Sequence, residues 1–316
     1  MQLIRGVYNL RPEHKGSVAT IGNFDGVHRG HQAVIKQLAN EAARLNCKKT
    51  VITFEPLPQD FFLGEKAPGR LTPFRDKFIA LEKLGVDQML CLPFNQKLAS
   101  LSAEDFIQQV LVEGLEIKSL VVGDDFCFGK NRSGNFSLLQ QAGKQHGFAV
   151  QKTETFSEQN KRISSSRIRK LLEAGELQQA EKLLGRPYTM SGYVIEGDKR
   201  GREIGYPTAN IRVGRRVSPL RGIFAVEVNG IEDHPLPGIC SIGTRPTVNY
   251  RGFLIEVHLL DFTGDLYGRR LEIVWLEKLR NEEKFESIDA MVRQIENDEM
   301  NARTFFRRRR GRDARR

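Results

Sequence analysis

The stretch Thr20-Ile-Gly-Asn-Phe-Asp-Gly-Val-His-Arg-Gly-His31 decides how the N-terminal half folds. It follows an apolar run, Ser17–Ile21, and leads into the helical period of Val34, Ile35, Leu38, Ala42 and Leu45. A strand, a glycine-rich turn and a helix in that order make a ligand-binding corner, because ligands of parallel sheets lie where strands end and helices begin. Gly22, Gly26 and Gly30 permit close backbone approach and unusual dihedrals. His28 and His31, three residues apart, are predicted to share one face of the first helical turn. Two imidazoles beside the positive end of a helix dipole suit polyphosphate oxygens.

Outward from this corner, short apolar or β-branched runs recur at Thr50–Phe54, Met89–Leu92, Leu120–Gly123 and Phe148–Lys152. Helical periods separate them, one from Phe74 to Leu84 and one opened by the capping pattern Ser102-x-x-Asp105. Alternating strands and helices predict an α/β doubly wound domain over residues 1–185. The texture changes after Gly185-Arg186-Pro187. Short strands are predicted at Gly192–Glu196, Ile223–Val228, Gly238–Ile242, Phe253–Leu260 and Leu271–Trp275, with Gly197–Gly201 and Gly205–Asn210 as loops. This is the pattern of a small antiparallel barrel or sandwich over residues 186–306. Ser287 opens a C-terminal helix with Ile288, Met291, Val292 and Ile295 on one face.

The 316 residues carry 49 Lys+Arg and 39 Asp+Glu, a net charge of +10, and 40% are hydrophobic, enough for two ordinary cores. The last ten residues, 307–316, hold seven arginines and one aspartate, which leaves the body only +4. The segment reads as a solvated basic tail that could touch nucleic acid or anionic surfaces. A protein whose main task is nucleic-acid binding is disfavoured by that modest body charge and by the lack of an aromatic-basic platform. No run approaches the ~20 apolar residues of a membrane span. The first residues lack the apolar core of an export signal, and four scattered cysteines suit a reducing compartment, so a cytoplasmic protein is expected.

Two further constellations carry chemistry. Ser164, Ser165 and Ser166 open an Arg-rich helix, so free N–H groups together with Arg167 and Arg169 can hold an anion. In Phe253-Leu-Ile-Glu-Val-His-Leu-Leu260, period-2 counting puts Ile255, Val257 and Leu259 on one face and Glu256 with His258 on the other. A glutamate interrupting an apolar strand is costly unless paired or used.

The string around His28 and His31 resembles the H-x-G-H signature of the nucleotidylyltransferase superfamily. Its wider form resembles the FAD synthetase branch of bacterial bifunctional riboflavin kinase/FAD synthetases. Val122-Gly-Asp-Asp-Phe-Cys-Phe-Gly129 and Ile163-Ser-Ser-Ser-Arg-Ile-Arg169 are similar to two further segments of that family, with Ser166 replacing the usual Thr. Gly205-Tyr-Pro-Thr-Ala-Asn210 resembles the P-T-A-N motif of riboflavin kinases. The resemblance implies FMN synthesis from riboflavin and ATP, followed by FAD synthesis from FMN and ATP. It implies catalytic roles for Glu256, His28 and His31, and adenylyltransferase ATP contacts at Gly22, Asn23, Phe24, Asp25, Gly26, Gly30 and the serine-arginine segment. Kinase ATP contacts are implied at Gly201, Pro207, Thr208 and Asn210, with Thr208 and Asn210 as Mg²⁺ ligands. Flavin contacts are implied at Asp125 and Arg280. The expected partners are therefore small-molecule substrates.

Overall fold

A computed structural model describes all residues except 124, 154–156, 159–160, 198–200, 202–203, 214–216, 244–252 and 314–316. The centre of the 197–201 loop and the last three tail residues thus lie outside the described residues. The chain packs as two compact units, Met1–Pro68 with Phe74–Ser165, and Gly69–Pro73 with Ser166–Arg316. The packing boundary falls at Ser165/Ser166, whereas the functional division expected from sequence falls at residue 186.

In the first unit, β1 (Gln2–Arg5), β2 (Val18–Ile21), β3 (Lys49–Glu55), β4 (Gln88–Pro93), β5 (Ser119–Gly123) and β6 (Ala149–Thr153) form one sheet. Its order is β1-β4-β3-β2-β5-β6 and every neighbouring pair is parallel. The connections carry α1 (Arg29–Leu45), α2 (Pro58–Leu63), α3 (Phe74–Lys83), α4 (Gln96–Ala99), α5 (Ala103–Phe106) running on as a π turn, and α6 (Phe136–His146). Ile35, Leu38 and Ala42 of α1 meet Val18, Val51, Met89 and Val121 on one sheet face. Phe106, Ile107, Val110 and Leu139 cover Ile52, Leu90 and Leu120 on the other. Ser102 caps α5 as its spacing predicts, accepting the Asp105 N–H at 2.9 Å. Strand order reverses at β2, which lies between β3 and β5, so the crevice above β2 is the switch point where ligands bind such sheets. The edge strand β1 was not foreseen; four residues are too few to show a period.

A two-residue hairpin, β7 (Ser157–Glu158) with β8 (Lys161–Arg162), precedes α7 (Ser165–Ala174) and α8 (Leu177–Leu184). Then β9 (Tyr188–Ile195), β10 (Ala209–Arg212), β11 (Gly222–Asn229), β12 (Leu236–Gly243), β13 (Leu254–Leu259) and β14 (Arg270–Arg280) close into a barrel. All its pairings are antiparallel. Trp275 and Phe224 fill the interior edge to face, centroids 5.1 Å apart.

Two expectations about the C-terminal half need correction. Residues 205–210 are not wholly loop, since Ala209 and Asn210 begin β10. Pro207 and the turn residues before it mask a strand that is held by non-local pairing. The terminal helix α9 (Ile288–Asp313) absorbs the Arg-rich segment as far as the description extends, because arginine is a strong helix former. Its packing face runs on from the half-buried Met291, Val292 and Ile295 to Ala302 and Phe306. Ile288 is 66% exposed, while Ala302 and Phe306 seal the barrel against Ile223, Ile239 and Leu276.

Candidate active sites

The histidine corner forms at the switch point. His28 is the N-cap of α1 and its Nδ1 accepts the His31 backbone N–H at 3.3 Å. A backbone N–H can only donate, so Nδ1 bears the lone pair and the proton of the neutral ring sits on Nε2. His28 and His31 stack with centroids 3.6 Å apart and planes within 14°. Gly30 makes this possible, because a Cβ there would stand 3.2 Å from the His28 ring. Of the three glycines, only Gly26 adopts a positive φ, 89°. Gly22 serves by leaving room for the Phe24 ring, 3.1 Å from where its Cβ would stand. The unusual dihedrals fall instead on Phe24 (φ 48°) and Val27 (φ 41°). A β-branched residue in that region is strained and persists only where its surroundings over-determine it.

Those surroundings are visible. Phe24, Asp25 and Val27 are buried. The Val27 carbonyl accepts from Gln32 Nε2 at 2.9 Å, and the Asp25 carbonyl from the Ser165 hydroxyl at 2.9 Å. The Asn23 carbonyl accepts from Lys77 Nζ at 2.7 Å. Lys77, on α3 and only 1% exposed, was missed in the sequence because a lysine in an amphipathic helix reads as surface. His31 as a whole is half-buried, yet its Nδ1 is enclosed with no hydrogen-bond partner among the described residues. Burial, followed by electrostatic coupling to His28 and the positive charges of Lys77 and Arg162, holds its pKa well below the ordinary 6.5. The folded site refuses a proton that the unfolded chain accepts. Stability from this ring is therefore complete above about pH 6.5 and declines as the pH falls below it. With Lys77→Met, the His31 pKa is expected to rise but stay below 6.5, since burial remains. Nuclear magnetic resonance titration of the ring reads this directly, and an unmoved titration would remove Lys77 from the site.

The other N-terminal residues distribute unevenly. Ser164 and Ser165 are half-buried and Ser166 is exposed. Arg167 is half-buried, whereas Arg169 is buried with its Nε donating to the Gly69 carbonyl at 2.7 Å. Asp125 is paired with Arg162 of β8, and that hydrogen bond lowers its pKa. The ends of β3 and β4 carry a feature the sequence did not disclose. Phe54, Phe61 and Phe62 stand edge-on around Phe94, with centroids 5.5–5.7 Å away, and Phe62 is 66% exposed.

In the barrel, Glu256 of β13 faces Asn210 of β10 on one side and Ser241 of β12 on the other. The alternation is as expected, with Ile255, Val257 and Leu259 buried and Glu256 and His258 half-buried. Gly197 closes over Asn210; a Cβ there would lie 2.1 Å from Nδ2. A Cβ on Gly201 would meet the Tyr206 carbonyl at 2.2 Å, with Thr208 Oγ1 at 3.5 Å. Pro207 and Thr208 are exposed beside this cradle. Arg280 closes β14. Its Nε and Nη2 fork onto buried Asp298 of α9 at 2.8–3.0 Å, and Nη1 donates to the Asn281 carbonyl at 3.0 Å.

Comparison with known proteins agrees with both halves. A FAD synthetase family model matches residues 10–167 and a riboflavin kinase model matches residues 184–306. The bifunctional riboflavin kinase/FMN adenylyltransferase of Escherichia coli K12 is 49% identical over 307 residues, covering 97% of this chain and 98% of that protein.

The chain belongs to the bifunctional riboflavin kinase/FMN adenylyltransferase family.

The family's Haemophilus influenzae member is 46% identical over 97% of this chain and 99% of its own. A solved structure described as a macrolide-efflux protein from Streptococcus pneumoniae superposes with a TM-score of 0.82 at 29% identity, covering 96% of this chain and 99% of that one. Among the described residues of this family member, no helix is long and apolar enough to cross a membrane.

Proposed function

We propose that this protein phosphorylates riboflavin to FMN with ATP and then adenylylates FMN to FAD with release of pyrophosphate. The observation that carries the reading is the presence of two separate polar constellations in the two folds the family prescribes. These are the stacked His28 and His31 at a helix N-terminus, and Glu256 opposite Asn210 in a barrel. Residues 1–185 would be the synthetase, 186–306 the kinase and 307–316 a basic extension, acting in the cytoplasm.

In the synthetase, the FMN phosphate is largely dianionic near neutral pH and needs no base. One of its oxygens attacks the α-phosphorus of ATP, forming a P–O bond as pyrophosphate leaves. His28 Nε2–H and His31 donate to the polyphosphate, with the loop from Gly22 to Gly26 and the hydroxyls of Ser164 and Ser165 completing its cradle. The phenylalanines around Phe94 offer a flat apolar surface for the flavin rings. Phe62→Ala should raise KM for FMN about five- to tenfold, with kcat nearly unchanged. An unaltered KM would place the flavin elsewhere.

In the kinase, Glu256 accepts the proton of the primary riboflavin hydroxyl as its oxygen attacks the γ-phosphorus and ADP leaves. The Thr208 hydroxyl and the Asn210 amide oxygen are hard neutral donors, so they suit Mg²⁺, which when bound neutralises phosphate charge. Incubation with riboflavin, ATP and Mg²⁺ should yield FMN and then FAD, separated by chromatography. No FMN from riboflavin would remove the kinase half, and no FAD from supplied FMN would remove the synthetase half.

A further inference from the structure

Two ring side chains meet beside the backbone just ahead of Thr208. His258 lies two residues beyond Glu256 on the same face of β13, and its Nδ1 is 2.9 Å from the Pro207 carbonyl oxygen. A carbonyl only accepts, so Nδ1 carries the proton and donates. Tyr206 packs edge-on against the imidazole, centroids 5.2 Å apart. Burial and the negative charges of Glu299 and Glu296 on α9 raise the Tyr206 pKa. Glu299 is itself held by Arg303 at 2.8 Å, and Arg303 forks onto Asp261 at 2.7 and 2.8 Å.

We propose that His258, packed against Tyr206, is a positioning residue that aims Thr208 and Asn210 at the ATP phosphates. The proline ring already fixes φ of residue 207, so rotation about ψ is the freedom left to the peptide plane that leads into Thr208. A donor on the Pro207 carbonyl removes that rotation. The exposed Thr208 hydroxyl has no burial to orient it, so its direction must come from this backbone.

The inference rests on the kinase reading, and the test separates the two. His258→Phe keeps a ring against Tyr206 and loses the donor, whereas His258→Asn returns an N–H near the position of Nδ1. In riboflavin phosphorylation, His258→Phe should raise KM for ATP about tenfold and leave KM for riboflavin within about threefold. His258→Asn should bring the ATP value back to within about threefold of wild type. Adenylylation of supplied FMN should be untouched in both. A wild-type ATP KM in His258→Phe, an Asn variant as impaired as Phe, or both KM values shifting together with Tm would overturn the positioning role. A wild-type protein that makes no FMN would instead refute the kinase reading. Should His258→Phe not fold, Tyr206→Leu stays apolar and removes the ring that packs against the imidazole. Its ATP KM should rise about threefold, and a wild-type value would again overturn the proposal.

Discussion

Replacing His28 and His31 together with alanine is expected to lower FAD formation from FMN at least about 100-fold, while FMN formation from riboflavin stays within about threefold. The double change removes two stacked rings, 3.6 Å apart at the start of α1, and leaves the glycines in place. A donor aimed at developing charge is typically worth about 3 kcal/mol, and paired donors rarely add, so one large effect is expected rather than a product of two. The variant given riboflavin and ATP should accumulate FMN. One side effect is foreseeable: His28 also caps α1, so its loss should cost about 1 kcal/mol of stability. His28→Asn separates the two roles, since an Asn side-chain oxygen can accept the His31 N–H but offers no ring donor. Wild-type FAD output from a folded double variant would refute the histidine site.

Glu256→Gln should abolish riboflavin phosphorylation to the extent of about 100-fold or more and leave adenylylation of supplied FMN intact. Glutamine keeps the shape and can still lie across from Asn210 and Ser241, so the barrel should fold normally. What it lacks is the capacity to take a proton from a neutral hydroxyl. Assaying both half-reactions on one preparation provides the control. Equal loss of both activities in a folded protein would refute separate sites, and full retention of kinase activity would refute the base.

Where sequence reading fell short, the cause was the same each time. Val27 and Phe24 adopt positive φ although neither residue type favours it, because burial and the bonds from Gln32 and Lys77 impose it. Lys77 looked like surface until α3 folded against the loop. Arg280 is anchored by Asp298, eighteen residues on, a pairing that spacing alone does not show.

The sequence by itself determined the order of elements, the capped helix start with its two histidines, and the alternation that sets Glu256 apart from its apolar neighbours. These are short-range properties, written in spacing and residue type within one strand or one helical turn. Only the tertiary structure decided that Asn210 lies opposite Glu256, that Lys77 and Ser165 tether the histidine loop, and that His258 bonds to Pro207. Those pairings join residues 46 to 140 positions apart. They depend on strand register and side-chain burial, which exist only once the sheet and the barrel have closed.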